Sequence, residues 1–144
     1  MGWIGSRAGG TTNSWSAGVT TGSAWAAGYA IQAVAADAFL IELGANDAND
    51  ARSAADYKTG LAALIDQVKA NADVALVKCH PSSDAYNIPA GYLTAMDELT
   101  VSSSLKAILN FNGLSLVAAD RHDTIHLSQA GYAKEASLAA AYLG

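Results

Sequence analysis

The sequence predicts an α/β fold built on a short parallel sheet. Two observations predict it. The runs Asp37–Leu43 and Asp73–Cys79 are short and almost continuously apolar. That pattern suits strands covered on both faces, as parallel strands are. Between and after them lie longer segments with helical spacing. Strands that alternate with helices join in parallel through right-handed crossovers.

Taken in order, the chain begins with a short apolar piece, Met1–Ile4, and a loop, Gly5–Asn13, that contains Gly9-Gly10. Glycine admits close approach of a ligand there. Residues 14–22 are ambiguous, because Gly18 and Gly22 weaken a helix. Ser23 suits a helix cap, with a helix to about Ala35 and Trp25, Ala26, Tyr29 and Ala33 turned inward. The first long strand, Asp37–Leu43, stops at Gly44. Residues 51–71 read as a helix, with Leu61, Leu64, Ile65 and Val68 on one face. The strand Asp73–Cys79 follows, then a loop over 80–90 marked by Pro81 and Pro89. A helix is expected over 91–110, with Leu105, Ile108 and Leu109 in the core. A further strand is expected at Leu114–Ala118, then a loop over 119–128 and an Ala-rich helix over 129–142. The expectation is one domain over residues 1–144, with about four strands.

Composition narrows the function classes. Hydrophobic residues make up 51% of the 144 and charged residues only 15%, and mean hydropathy is +0.18. Such a surface suggests that a second copy of the chain covers part of it; a monomer in light scattering would count against this. Net charge is −5, and the eight cations are scattered. Nucleic acid is therefore not an expected partner. No apolar run reaches the roughly 20 residues that span a bilayer. The start lacks the basic and apolar stretch of a signal peptide. A cytoplasmic protein, or one secreted after processing, fits equally. Cys79 is the sole cysteine, so no internal disulfide forms.

In an open parallel sheet, sites form beyond the carboxyl ends of the strands. Gly44–Asp47, His80 and the Asp123–His126 loop are all expected at that edge. Asp123 lies three residues before His126, on a loop that opens a helix. A neutral imidazole takes a hydroxyl proton best when a carboxylate fixes its other nitrogen. The plain alternative is a surface histidine beside a turn-capping aspartate. Asn46 offers an N–H donor for an oxyanion, and Gly44 lets the chain turn off the strand. An ordinary Gly-Ala-Asn-Asp turn is the plain alternative there.

These motifs resemble those of the SGNH (GDSL-type) hydrolases. Ile41-Glu42-Leu43-Gly44-Ala45-Asn46-Asp47 is similar to the family's third block, whose asparagine donates to the oxyanion. Asp123-Thr124-Ile125-His126-Leu127-Ser128-Gln129-Ala130-Gly131-Tyr132 is similar to the last block, which holds the aspartate and the histidine. Ala8-Gly9-Gly10-Thr11-Thr12 is similar to the second block. The resemblance implies a flavodoxin-like three-layer α/β/α fold and hydrolysis of an acetylated carbohydrate or a short-chain acyl ester. It implies His126 as base, Asp123 as its orienting partner, and Asn46 and Gly10 at the oxyanion. Gly9, Gly44 and His80 would contact substrate. No metal or organic cofactor is required.

The family's first block, Gly-Asp-Ser, does not occur in this sequence. Three accounts are open. Trp3-Ile4-Gly5-Ser6 replaces it, with Ser6 as nucleophile; or the chain has lost ester chemistry and binds an acylated sugar or a protein; or a partner chain fills the gap. Three neighbouring features have plainer readings. His122 and His126 would share a helical face and could hold zinc, but their segment reads as loop. Cys79 reads as a small buried residue, and Asp47 and Asp50 as caps of the next helix. Trp3, Trp15 and Trp25 could stack on sugar rings, though core or interface packing is the simpler role.

Overall fold

The computed structural model describes residues 38–69, 73–80, 88–124 and 126–143. Within them lie strand β1 (Ala38–Glu42), helices α1 (Ala45–Asn49) and α2 (Ala54–Val68), strand β2 (Asp73–Lys78), helix α3 (Ala90–Ser102), strand β3 (Ala107–Asn110) and helix α4 (Gln129–Leu143). Two single 3₁₀ turns, Phe111–Gly113 and Ala118–Asp120, lie between β3 and α4.

The three strands are all parallel, in the order β1-β2-β3. Strand β2 is central, and its run Val74–Val77 is buried throughout. Alternate side chains of the strands serve different cores. Ile41, Val74 and Leu76 pack with Leu61, Leu64 and Ile65 of α2 and with Tyr92, Met96 and Leu99 of α3. Val77 and Leu109 pack with Phe111 and, from α4, Leu138 and Tyr142. Helices thus cover both faces, and the layers run α/β/α.

The helix α2 expected over 51–71 forms with its expected face buried: Leu61, Leu64, Ile65 and Val68 are at most 3% exposed. Ser53 caps it, with Oγ accepting from the Asp56 N–H at 3.1 Å and donating to Asp56 Oδ2 at 2.8 Å. The expectation that Asp47 and Asp50 cap this helix is therefore corrected. Asp47 is fully buried within α1, where Arg52 Nε stands 3.7 Å from its carboxylate; Asp50 closes the end of α1.

The largest departure from expectation lies over 103–118. The helix expected over 91–110 stops at Ser102, and 107–110 is strand β3. Ser104 takes the left-handed conformation at φ 52°. Its N–H bonds to the Val101 carbonyl at 3.1 Å, and the Leu105 N–H bonds to that of Thr100 at 2.9 Å. This is the double bond of a Schellman stop, which glycine usually makes. Leu105, Ile108 and Leu109 still join the cores, the last two from a strand. The strand expected at Leu114–Ala118 is absent: Leu114–Val117 forms neither helix nor strand, and Ala118 opens the second 3₁₀ turn.

Candidate active site

Because the strands are parallel, the segments that follow β1 and β2 leave the same edge of the sheet. Gly44 turns the chain off β1 at φ 133°, a conformation that L side chains rarely adopt. The Tyr57 ring lies 3.4 Å from where a Gly44 Cβ would sit, and its hydroxyl donates to the Leu43 carbonyl at 3.1 Å. Tyr57 in turn stacks on Tyr92, with centroids 4.1 Å apart. The corner that carries Asn46 is thus braced from the core. Asn46 itself is exposed, on the short helix α1.

The loop before α4 is shaped by backbone bonds. Arg121 and Leu127 form an antiparallel bridge, and the His122 N–H bonds to the His126 carbonyl at 2.9 Å. Asp123 closes the turn with both carboxylate oxygens. Oδ1 accepts the His126 backbone N–H at 2.6 Å, and Oδ2 lies 2.7 Å from His126 Nδ1. The two side chains are 47% and 67% exposed, so this edge is open to a ligand. The segment is not helical, so His122 and His126 do not share a helical face.

Ser128 then starts α4. Its Oγ donates to the Ala119 carbonyl at 2.8 Å and receives the Gly131 N–H at 3.4 Å. Its own N–H bonds to the Asp120 carbonyl at 2.8 Å. The Asp120 carboxylate is buried and accepts from Lys134 Nζ at 2.6 Å and from the Val117 N–H at 2.8 Å. The Lys134 bond first, and the Val117 bond next, hold its carboxyl below the usual carboxylate range. A depressed acid stabilises the fold fully above its ordinary value of 3.8, and the contribution fades as pH falls through the lower folded value. Lys134→Met is therefore expected to flatten the acid limb of a plot of urea midpoint against pH. Coincident acid limbs for Lys134→Met and wild type would refute the assignment.

A groove of about 560 Å³ runs between Leu116–Ala118 and Arg121–Thr124. It is lined by Asp123 but not by His126, so it flanks the pair. His80 follows β2 at the sheet edge, and its Nδ1 lies 2.8 Å from Glu135 Oε1 of α4 and 4.0 Å from Glu42 Oε1 of β1. Burial first, and the Glu135 carboxylate next, push the Glu42 carboxyl up to about 7, with His80 opposing. Tyr132 lies on the same helix as Glu135 and within the fields of Glu135, Glu42 and Asp123, which follow burial in raising its phenol. Burial also pushes the Cys79 thiol up, beyond thiolate chemistry at neutral pH.

The structure thus pairs Asp123 with His126 and sets Gly44 and His80 at the C-terminal sheet edge. Ser6, Gly9, Gly10 and the three tryptophans lie outside the described residues. Glu42 and Glu135 were missed by sequence reasoning. The signal for Glu42 was a charge inside an apolar strand; Glu135 carried none, since its partners are remote in sequence.

The α/β/α sandwich on a parallel sheet is the SGNH hydrolase fold. Two solved structures share that fold. One is an aryl esterase of M. smegmatis, at TM-score 0.54 and 19% identity over 76% of this chain. The other is a carbohydrate acetylesterase of Sinorhizobium meliloti, at TM-score 0.53 and 19% identity over 76% of this chain. The chain spans 63% of the length of each. No protein-family model matches the sequence, and no curated protein matches it either. Among the described residues, no helix is long and apolar enough to cross a membrane.

Proposed function

We propose that the chain hydrolyses carboxylic esters, either an acetyl group on a carbohydrate or a short acyl chain. The 2.7 Å contact between Asp123 Oδ2 and His126 Nδ1 carries this reading. With Nδ1–H donating to Asp123, Nε2 is the nitrogen that takes the proton. A serine hydroxyl attacks the acyl carbon and gives its proton to Nε2. The tetrahedral intermediate collapses, and the same proton passes to the departing alkoxide oxygen. Water then attacks the acyl-enzyme by the same route and releases the acid. Asn46 donates to the oxyanion, helped by the Gly10 N–H. Ser6 is the proposed nucleophile. Leu116, Val117 and Ala118 offer an apolar wall beside the loop.

The lack of a Gly-Asp-Ser block favours a second reading, a module that binds an acylated sugar or a protein without cleaving it. Labelling with a serine-directed fluorophosphonate, followed by peptide mass spectrometry, separates the two. The adduct is expected on Ser6 and is expected to vanish in Ser6→Ala. A label on another serine would reassign the nucleophile. Failure to label, together with no turnover of short-chain nitrophenyl esters, would overturn the hydrolase reading in favour of binding.

A further inference from the structure

We propose that Glu42, His80 and Glu135 form a binding site for one divalent transition-metal ion, zinc foremost. Three elements contribute one ligand each: the end of β1, the residue two beyond β2, and the second turn of α4. One ligand atom from each lies within 4.8 Å of the other two. This inference is independent of the ester chemistry, which needs no metal.

The spacing fits. Zinc holds imidazole nitrogen and carboxylate oxygen at about 2.0–2.2 Å, so neighbouring ligand atoms in a tetrahedral shell stand roughly 3.4 Å apart. The observed separations from His80 Nδ1 are 2.8 Å to Glu135 and 4.0 Å to Glu42, on either side of that value. An ion seated among them opens one contact by about half an ångström and closes the other by about as much. Glutamate side chains make such movements by rotamer adjustment. The ion replaces the proton between His80 Nδ1 and Glu135, and His80 then carries its proton on Nε2. Water completes the shell.

The electrostatics point the same way. Among the described residues, no lysine or arginine pairs with Glu42 or Glu135. The Glu135 side chain is only 9% exposed and that of His80 17%. Two carboxylates thus meet one imidazole in a partly dry pocket, and a dication neutralises them. One nitrogen and two oxygens favour zinc, cobalt or manganese over magnesium or calcium, which prefer oxygen alone. Bound there, the ion ties the outer helix α4 to the sheet edge.

The test is calorimetric titration of the chelator-stripped protein with zinc chloride, and with cobalt chloride read also by visible absorption. One saturable ion per chain is expected, with cobalt bands of low coordination number. Glu42→Gln, the most exposed of the three, is expected to weaken binding at least about tenfold while circular dichroism is unchanged. Glu135→Gln is expected to do the same. His126→Ala, which disables the proposed hydrolase, is expected to bind as wild type does. No saturable binding to the wild type would overturn the proposal, as would wild-type affinity in both glutamine variants. Loss of binding in His126→Ala alone would place the ion on the Asp123 loop and overturn it too.

Discussion

His126→Ala is expected to lower kcat/KM for a short-chain nitrophenyl ester by about 10³–10⁴-fold, almost entirely in kcat. The base acts when the proton moves, not when the ester binds, so KM is expected to hold. Asp123→Asn is expected to cost about 10²–10⁴-fold, because an amide at 2.7 Å from Nδ1 no longer selects the working tautomer. The control is unusually clean. The His126 side chain is 67% exposed, so its removal is expected to shift stability by no more than about 0.5 kcal/mol. Steady-state kinetics and urea unfolding on the same samples decide the matter. Turnover unchanged in a folded His126→Ala protein would end the triad argument.

Gly131→Ala is expected to destabilise the fold by about 3 kcal/mol. Helix propensity alone argues the opposite sign, since alanine in a helix gains about 1 kcal/mol over glycine. Sterics decide. A Cβ at Gly131 would fall 2.2 Å from the Asp120 carbonyl oxygen and 3.0 Å from Leu127 Cβ. Neither is the free end of a flexible side chain. That carbonyl already accepts the Ser128 N–H, and the Asp120 side chain holds Lys134 and Val117. Moving it disturbs the start of α4 and the bridge that shapes the Asp123 loop. For a domain stable by about 5–15 kcal/mol the loss is large. Urea denaturation with an unchanged slope measures it; a Gly131→Ala protein as stable as wild type would refute the close-packing account.

What could be read from the sequence followed how local the cause was. The buried stripe of α2 was legible because four residues at helical spacing announce it. The Asp123–His126 pair was legible because three residues bring the partners together in one turn. The end of α3 was not, because the stop is made by Ser104 rather than glycine, and a serine in the left-handed region leaves no compositional trace. Strand β3 went unread in consequence, being only Ala107–Asn110 and continuous with an apparently helical pattern. The Glu42–His80–Glu135 meeting depends on the crossover of whole elements, which no spacing encodes. Gly131 was legible as part of a motif, while its reason, a carbonyl in the way, was visible only in space.

The register of the sheet has a kinetic consequence. Ala38 pairs with Asp73, and Ala75 with Ala107, so each strand pairs with its neighbour across an intervening helical segment. No hairpin exists among these strands to nucleate early. Such non-local pairing slows folding relative to helical proteins of similar size, and it leaves half-made strands exposed meanwhile. Refolding yield is therefore expected to fall steeply with protein concentration, and slow dilution from urea is the favoured route to folded material.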